Sequence, residues 1–562
     1  LTVIDVSMTA DVQQLNEVVV VGYGTQIKQD LTGNIASVKG DDVKNLPVPN
    51  FTQALQGRAS GVFVESNSGR VGEGIKVRIR GAVSLSGSNE PLYVVDGIPI
   101  NTSTLSNGQT GTAQNNGAGL SSINYNDIES FEILKDAAAA AIYGSRAANG
   151  VVLITTKRGK AGKTSINANL SYGFNAPTNA HRGFLNSKQY IDYYHEAARN
   201  GAIYDYNRLG NPDGYGSEQE AIDDYTDFVE GRFTRYSGYS DWTKLETDTD
   251  WEKQAYKSNP TVKMFNLSAS GGTDKTKYYM SGEYSKQDGI LIGNKFDRLS
   301  TRLNLDHEIN KKVKIGMNMS IARSVTGRTT QDNDFGTPMQ VVALAPITPV
   351  RDENGQLYDR PVTTYYNPLL NFDNGHYTAT TFRNIGGLYG QWNIIEGLSF
   401  RSEAGYDVLT ENDDQFFGSR TQSTSTNGYG QSDWLRTFNY NTNNFFSYNK
   451  MLTEKLSLDA TVGMSFQKAS SEQTSVTGQQ FPGDDLQKIA NAGKITGGFS
   501  SLSQYSFLSY FGRVNLKFAD KYLLSASGRV DGSSRFGPDN RYGFFPALSA
   551  GWIISEQQFL KG

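Results

Sequence analysis

Ser165-Ile166-Asn167-Ala168-Asn169-Leu170-Ser171-Tyr172-Gly173-Phe174 alternates between two kinds of side chain. Ile166, Ala168, Leu170, Tyr172 and Phe174 fall on one face and Ser165, Asn167, Asn169 and Ser171 on the other, which is the period of a strand with one apolar face. The next such segment, Phe265–Ser270, follows a long polar stretch, whereas its partner Lys277–Lys286 comes after a turn of a few residues. The same order repeats in Arg298–Ile309 with Val313–Ala322, Phe382–Ile394 with Leu398–Tyr406, and Trp434–Lys450 with Leu456–Phe466. Phe507–Phe518 with Tyr522–Val530 is the last pair, and Phe545–Ile554 closes the series. From Thr164 onward the period-2 rule counts about twelve strands. Their turns (Asn310-Lys311-Lys312, Glu396-Gly397, Thr453-Glu454-Lys455, Ala519-Asp520-Lys521) are short and polar, and the opposing connections 175–260, 326–378, 411–432 and 471–504 are long. The first long connection predicts an amphipathic helix at Ser187–Arg199. Antiparallel strands that cross a membrane sort their loops in this way, with trimmed periplasmic turns and large outer loops. A soluble sandwich has no reason to.

The bulk numbers agree. The chain has 562 residues, room for several soluble domains or one large barrel with an appendage. Mean hydropathy is −0.48, and no stretch approaches the ~18 apolar residues of a membrane helix. An α-helical membrane protein is excluded, but a barrel is not, because its lumen-facing residues are polar. Tyr 31 and Phe 28 against Trp 5, with Gly 59, suit aromatic girdles and tight turns.

Chemistry at a site finds little support. A net charge of −4 argues against nucleic-acid binding. With no cysteine there are no disulfides, thiolate metal sites or cysteine nucleophiles. His181, His195, His307 and His376 are scattered, and His195-Glu196 does not continue into a zinc motif. Gly159-Lys160-Ala161-Gly162-Lys163-Thr164 fails as a phosphate loop because Lys157 stands where the first glycine is needed. Gly69–Gly74 has the wrong glycine order for a dinucleotide site, and Arg351–Gly355 lacks EF-hand spacing. The expectation is a protein that is not an enzyme and has neither metal nor cofactor.

Four regions emerge. Residues 1–14 read as the last strand of something mostly absent, and Leu1 opens without a signal peptide, so the chain is expected to be mature and to lack an N-terminal part. Residues 15–24, Leu-Asn-Glu-Val-Val-Val-Val-Gly-Tyr-Gly, form an extended, strand-prone tail. Residues 25–160 form a compact α/β-like unit. Ile75–Arg80 is a strand with a basic face, Pro91–Pro99 a strand and return around Asp96-Gly97, and Phe131–Leu134 another strand. Asp136 is placed to cap a helix at Ala137–Ile142 that exits at Gly144, and Gly150–Lys157 reads as a central strand. Residues 161–562 form the strand region. Twelve strands close too narrow a barrel to hold a folded unit, since plugged lumens go with about 22 strands. The chain stops just after a strand, at Phe559–Gly562, so roughly ten C-terminal strands are expected beyond it.

Val77-Arg78-Ile79-Arg80-Gly81, Pro91–Pro99 and Leu134-Lys135-Asp136 through Tyr143-Gly144-Ser145-Arg146-Ala147-Ala148-Asn149-Gly150-Val151 closely resemble the plug of SusC/RagA-type TonB-dependent transporters. Arg529-Val530-Asp531-Gly532-Ser533-Ser534-Arg535-Phe536-Gly537 and Phe545-Pro546 resemble the barrel of the same family. The resemblance implies an all-β transmembrane antiparallel barrel of about 22 strands, about 12 of them present, with an N-terminal α+β plug in its lumen. It implies an outer-membrane importer surrounded by lipid, energised by a TonB–ExbB–ExbD complex and lidded by a SusD-like lipoprotein, in some cases as a two-fold pair of transporter and lid. Glu17, Val18, Val19, Val20, Val21, Gly22 and Tyr23 then sit at the TonB-box region, and residues 1–14 end a carboxypeptidase-regulatory-like sandwich. The motif residues are Arg78, Arg80, Gly81, Asp96, Gly97, Lys135, Asp136, Tyr143, Gly144, Arg146, Asn149 and Gly150.

Two further expectations concern contacts. Arg78, Arg80, Arg146, Lys157 and Arg158 are placed to pair with carboxylates on the inner wall, or else form a solvated face. Cargo, a glycan or a peptide, would meet plug loops Leu85–Asn89 and Thr102–Asn116 together with Tyr204, Tyr206, Tyr215, Trp242, Trp251, Tyr365 and Tyr366. The alternatives are a siderophore or vitamin receptor and a surface barrel that transports nothing.

Overall fold

The computed structural model describes residues 18–20, 22, 24–43, 51–66, 69–72, 74–85, 88–105, 114–116, 118–178, 183–328, 339–359, 365–421 and 427–557. The expected sandwich end at 1–14, together with Glu17, Val21 and Tyr23, lies outside them.

The first unit carries eleven short strands: β1 (Val18–Val20), β2 (Thr25–Ile27), β3 (Ile35–Lys39), β4 (Val62–Ser66), β5 (Ile75–Ile79), β6 (Leu92–Val95), β7 (Ile98–Pro99), β8 (Ser103–Leu105), β9 (Gln114–Asn116), β10 (Ile128–Leu134) and β11 (Val151–Thr156). Five of them form a mixed sheet in the order β3-β10-β11-β6-β7. The nearly unbroken apolar run of β11 puts it in the middle, antiparallel to β10 and parallel to β6. Val77, Tyr93, Val95, Phe131, Ile133, Val152 and Ile154 belong to the core beside it.

The expected helix is shorter than its alanine run. It covers Ala137–Ala140 and passes into a 3-10 turn at Ala141–Ala147, broken at Gly144 (φ 62°, ψ −140°). The Asp136 carboxylate before it accepts the N–H of Asn34 at 2.9 Å and pairs with Arg80.

Twelve further strands follow in one antiparallel sheet whose spatial order is the chain order. They are β12 (Gly162–Phe174), β13 (Thr261–Gly272), β14 (Thr276–Asp288), β15 (Lys295–Glu308), β16 (Val313–Gly327), β17 (Gly375–Ile395), β18 (Leu398–Phe417), β19 (Tyr429–Thr453), β20 (Leu456–Gln479), β21 (Lys494–Phe518), β22 (Tyr522–Ser533) and β23 (Tyr542–Trp552). Apolar side chains point out and polar ones in. Leu299 and Leu388 are 62% and 63% exposed, while Arg298 and Asn304 in the strand of Leu299 and Arg383 in that of Leu388 are buried. That inversion suits lipid outside and a filled polar lumen inside. No helix among the described residues is long and apolar enough to cross a membrane.

Two of the expected long loops are strand over half or more of their length. β18 and β19 run through much of 411–432, and β20 and β21 through much of 471–504. About 9–11 tilted residues cross the hydrocarbon. Beyond it the outer face meets water, so Ser470-Ser471-Glu472-Gln473-Thr474-Ser475 is polar on both faces and the alternation disappears. In connection 175–260 the expected helix extends to Ser187–Arg208, and a second one, Glu218–Ser237, packs on it through Val229, Phe233 and Tyr236. Its start was legible: Ser217 accepts the N–H of Glu220 at 3.1 Å, in an S-x-x-E sequence.

Candidate functional site at the plug–wall interface

The tail does not run free. Val18–Val20 folds back antiparallel on Thr25–Ile27, with Val19 opposite Gln26 and buried. Gly22 (φ 62°) makes the reversal and lies so close to the plug that a β-carbon there would stand 2.8 Å from Ile142 Cγ2.

Most of the motif residues hold the plug's own loops. Asp96 and Gly97 (φ 47° and 87°) form the turn between β6 and β7. The Asp96 carboxylate accepts from Thr156 N at 3.0 Å and Thr156 Oγ1 at 2.6 Å. Lys135 Nζ donates to the Ser60 carbonyl at 3.0 Å. Asn149 Nδ2 donates to the carbonyls of Ser88 at 2.7 Å and Glu90 at 3.2 Å. Arg78 stands in β5 opposite Phe63. Arg80 and Gly81 share positive φ at the end of β5, and Gly150 (φ 84°) passes under Ile79 where a β-carbon would not fit. Tyr143 is buried, and the residues after it turn to the wall. Ser145 N donates to Asp531 Oδ2 at 2.8 Å, and Arg146 bonds the Gln467 side chain.

The expected plug cations pair with the wall only in part. Arg158 meets Asp306 of the wall at 2.8 Å. Arg80 instead pairs within the plug, as does Lys157, whose Nζ donates to the Asn126 carbonyl at 2.8 Å, and Arg146 finds a neutral amide. The dominant cations stand on the wall. Arg298 Nε donates to Glu283 at 3.0 Å and its NH1 to the plug carbonyl of Ser121 at 2.6 Å. Arg383 holds Asp407 at 2.8 Å and the plug carbonyls of Gly119 and Asn101 at 2.8 and 2.7 Å. Arg529 holds Asp531 at 2.6 Å and the Ile142 carbonyl at 2.7 Å. Arg328 joins Glu411 at 2.9 Å and the Leu105 carbonyl at 3.2 Å. Arg302 lies 3.6 Å from both Asp96 and Asp127 of the plug.

One design recurs: a guanidinium spends one edge on a wall carboxylate and the other on plug backbone, which its fork of donors allows and a lysine would not. The sequence signal was inward-facing charge on the polar period of a strand, as in Arg298 and Arg302 of β15 or Arg529 and Asp531 of β22.

The aromatic candidates are largely engaged in packing. Trp251 is 1% exposed, with its Nε1 donating to the Ala345 carbonyl at 2.9 Å, and Tyr365 packs on the same cluster. Trp242 lies 5.1 Å from the Phe233 ring. Gln340 donates to the Tyr366 carbonyl at 2.8 Å. Tyr215 hydrogen-bonds Asp224 at 2.7 Å, and Tyr204 is exposed. Among the described residues no group of three or more potential ligands could hold a metal ion.

A cavity of about 680 Å³ separates plug from wall on the side of the short turns. Gly22, Gly24, Gly97 and Tyr143 line it from the plug, and Lys314, Arg401 and Asp459 from the wall. Short turns face the periplasm in such sheets.

Residues 27–151 match the family model of the TonB-dependent receptor plug domain. The chain is 33% identical over 575 residues to the TonB-dependent receptor P26 of Formosa agariphila, covering 100% of this chain and 52% of that protein. It is 29% identical over 592 residues to the TonB-dependent receptor SusC of Bacteroides thetaiotaomicron, covering 99% of this chain and 53% of that one. The RagAB peptide transporter superposes with a TM-score of 0.77 at 26% identity, over 95% of this chain and 59% of that one. The chain thus spans about half the length of the curated relatives it matches. Residues 27–151 thus form a TonB-dependent receptor plug domain, and the chain as a whole is similar to TonB-dependent receptors of the SusC and RagA type.

Proposed function

We propose that the protein of which this chain is part imports a nutrient across the outer membrane, without chemistry on its cargo, by TonB pulling on residues 15–24. The observation that carries this is the nature of the plug–wall contact. Beside apolar contacts at Phe445, Phe511 and Leu409, it consists largely of hydrogen bonds and ion pairs such as Ser145–Asp531 and Arg383–Asn101. Water in a lumen can replace such bonds one at a time, so a pull can release them at moderate cost. The strand geometry of Val18–Val20 supports this reading, because strand addition by a periplasmic protein requires an extended peptide edge.

A SusD-like lipoprotein is the proposed lid, and an oligopeptide or oligosaccharide the proposed cargo. The likeness to the RagAB peptide transporter favours testing peptides first. A deletion strain grown on a panel of peptides and polysaccharides identifies the cargo by the one nutrient it can no longer use. Deleting Glu17–Val21 from the full-length receptor should then stop growth on that nutrient while surface binding persists. Undiminished growth of that variant contradicts the coupling role.

A further inference from the structure

We propose, building on the import reading above, that cargo leaves along the wall sector β16–β19 and that Ile98, at the β6–β7 hairpin, is its gate. Gly387 of β17 and Gly405 of β18 are direct cross-strand partners. The Ile98 side chain fills the notch they leave and is buried. A β-carbon on Gly405 would fall 2.6 Å from Ile98 Cγ1, and one on Gly387 3.2 Å from Ile98 Cδ1. Glycine in a strand interior weakens the strand and marks close approach by another group. Two glycines set opposite each other make a seat for one side chain.

The hairpin is a lightly paired edge of the plug sheet. β7 ends the order of the plug sheet and is joined to β6 by two residue pairs, Val94 with Pro99 and Val95 with Ile98. Its second residue is a proline, which has no N–H for a further partner. The wall bonds to Gly97 and Pro99 come from neutral amides, Asn439 to the Pro99 carbonyl and Asn441 Nδ2 to the Gly97 carbonyl at 3.5 Å, while arginines stand at the flanks, Arg302 3.6 Å from Asp96 and Arg383 on the Asn101 carbonyl. Elsewhere the wall grips the plug with arginine clamps, as at Ile142 and Ser121. Beneath the hairpin lies open space, because Asp96 and Gly97 line both the cavity of about 680 Å³ and a small void of about 20 Å³ at Ile98. The tail residues Gly22 and Gly24 line that same cavity. Traction on the tail therefore clears the exit side first, leaving Ile98 in its notch as the remaining barrier.

The chain contains no cysteine, so paired substitutions within it add the only thiols to this part of the full-length receptor. Ile98→Cys with Gly405→Cys places a sulfur against a new β-carbon and locks the gate when oxidised. On the nutrient identified by the growth panel, this bridge should cut uptake at least tenfold, reversibly with dithiothreitol. Normal uptake with the bridge formed overturns the proposal. Failure of the import reading shows up separately, as a tail deletion without effect. Should the double variant not fold, Ile98→Cys alone decides. An impermeant maleimide should alkylate it at least fivefold faster in energised cells than in cells treated with a protonophore. Equal rates refute the gate.

Discussion

The Asp531 carboxylate of β22 reaches into the turn after Tyr143 and accepts the N–H of Ser145 at 2.8 Å, in the space that residue 144 leaves by being glycine. This contact joins three levels of the molecule. Gly144 adopts φ 62°, the turn it allows exposes the Ile142 carbonyl to Arg529, and Ile142 supports Gly22 of the tail. The wall thus holds the plug at the point where the tail rests on it.

Gly144→Ala should therefore destabilise the plug by more than backbone strain alone, which is about 1–3 kcal/mol. A β-carbon at 144 would overlap the Asp531 carboxylate, whereas Gly57→Ala, at φ 72° with nothing within 4 Å, meets strain only. Urea unfolding of the detergent-solubilised receptor compares them. Equal losses would remove Asp531 from the account.

The wall arginines predict an asymmetric double-mutant cycle. Arg383→Met leaves Asp407 buried and uncompensated and should cost about 3–5 kcal/mol. Arg383→Met with Asp407→Leu removes both charges and should cost clearly less than the single change. The positive coupling can be read from denaturation midpoints, and additive losses would mean that the pair is not coupled.

Glu90 gives the plug a pH dependence. Burial raises its carboxyl from 4.5 to about 7, against the N–H of Val77 and the nearby charges of Arg78 and Lys76. Its folded value lies above its unfolded one, so the protonated form favours the folded plug. This contribution is complete below about 4.5 and is lost as pH rises through about 7. Glu90→Gln should flatten stability across that window, as measured by hydrogen exchange of the β5 and β6 amides. An unchanged slope would contradict the buried carboxyl.

Trp251 should behave as a packing residue and not as a cargo contact. Truncating a buried tryptophan costs about 3–5 kcal/mol, so Trp251→Ala should expose the outer loops to limited proteolysis. Tyr204→Ala, at an exposed position, should leave proteolysis unchanged.

Much of this architecture was legible because the wall's alternation is local. Residues 165–174 state their two faces without reference to anything distant, and β12 pairs along them as that reading requires. Asp96-Gly97 announced its turn in the same way. What the chain does not state locally was missed. The stretch Ser470–Ser475 of β20 has two polar faces, so only its pairing with β21 reveals it. The clamps join residues hundreds of positions apart, such as Ser145 and Asp531, and no period in the sequence connects these. Trp251 looked available because aromatics in loops are ambiguous until their packing is seen. The seat at Gly387 and Gly405 was hidden in a chain where glycine is common.

The central claim is that the plug is a separable body held in the wall by bonds that yield to traction. Single-molecule pulling on the N-terminal end of the full-length receptor in a bilayer tests it most directly. The account predicts that plug residues extend first, at about 3.4 Å per residue, while the wall stays intact and the plug refolds on relaxation. Unravelling of wall strands before any plug extension would contradict it.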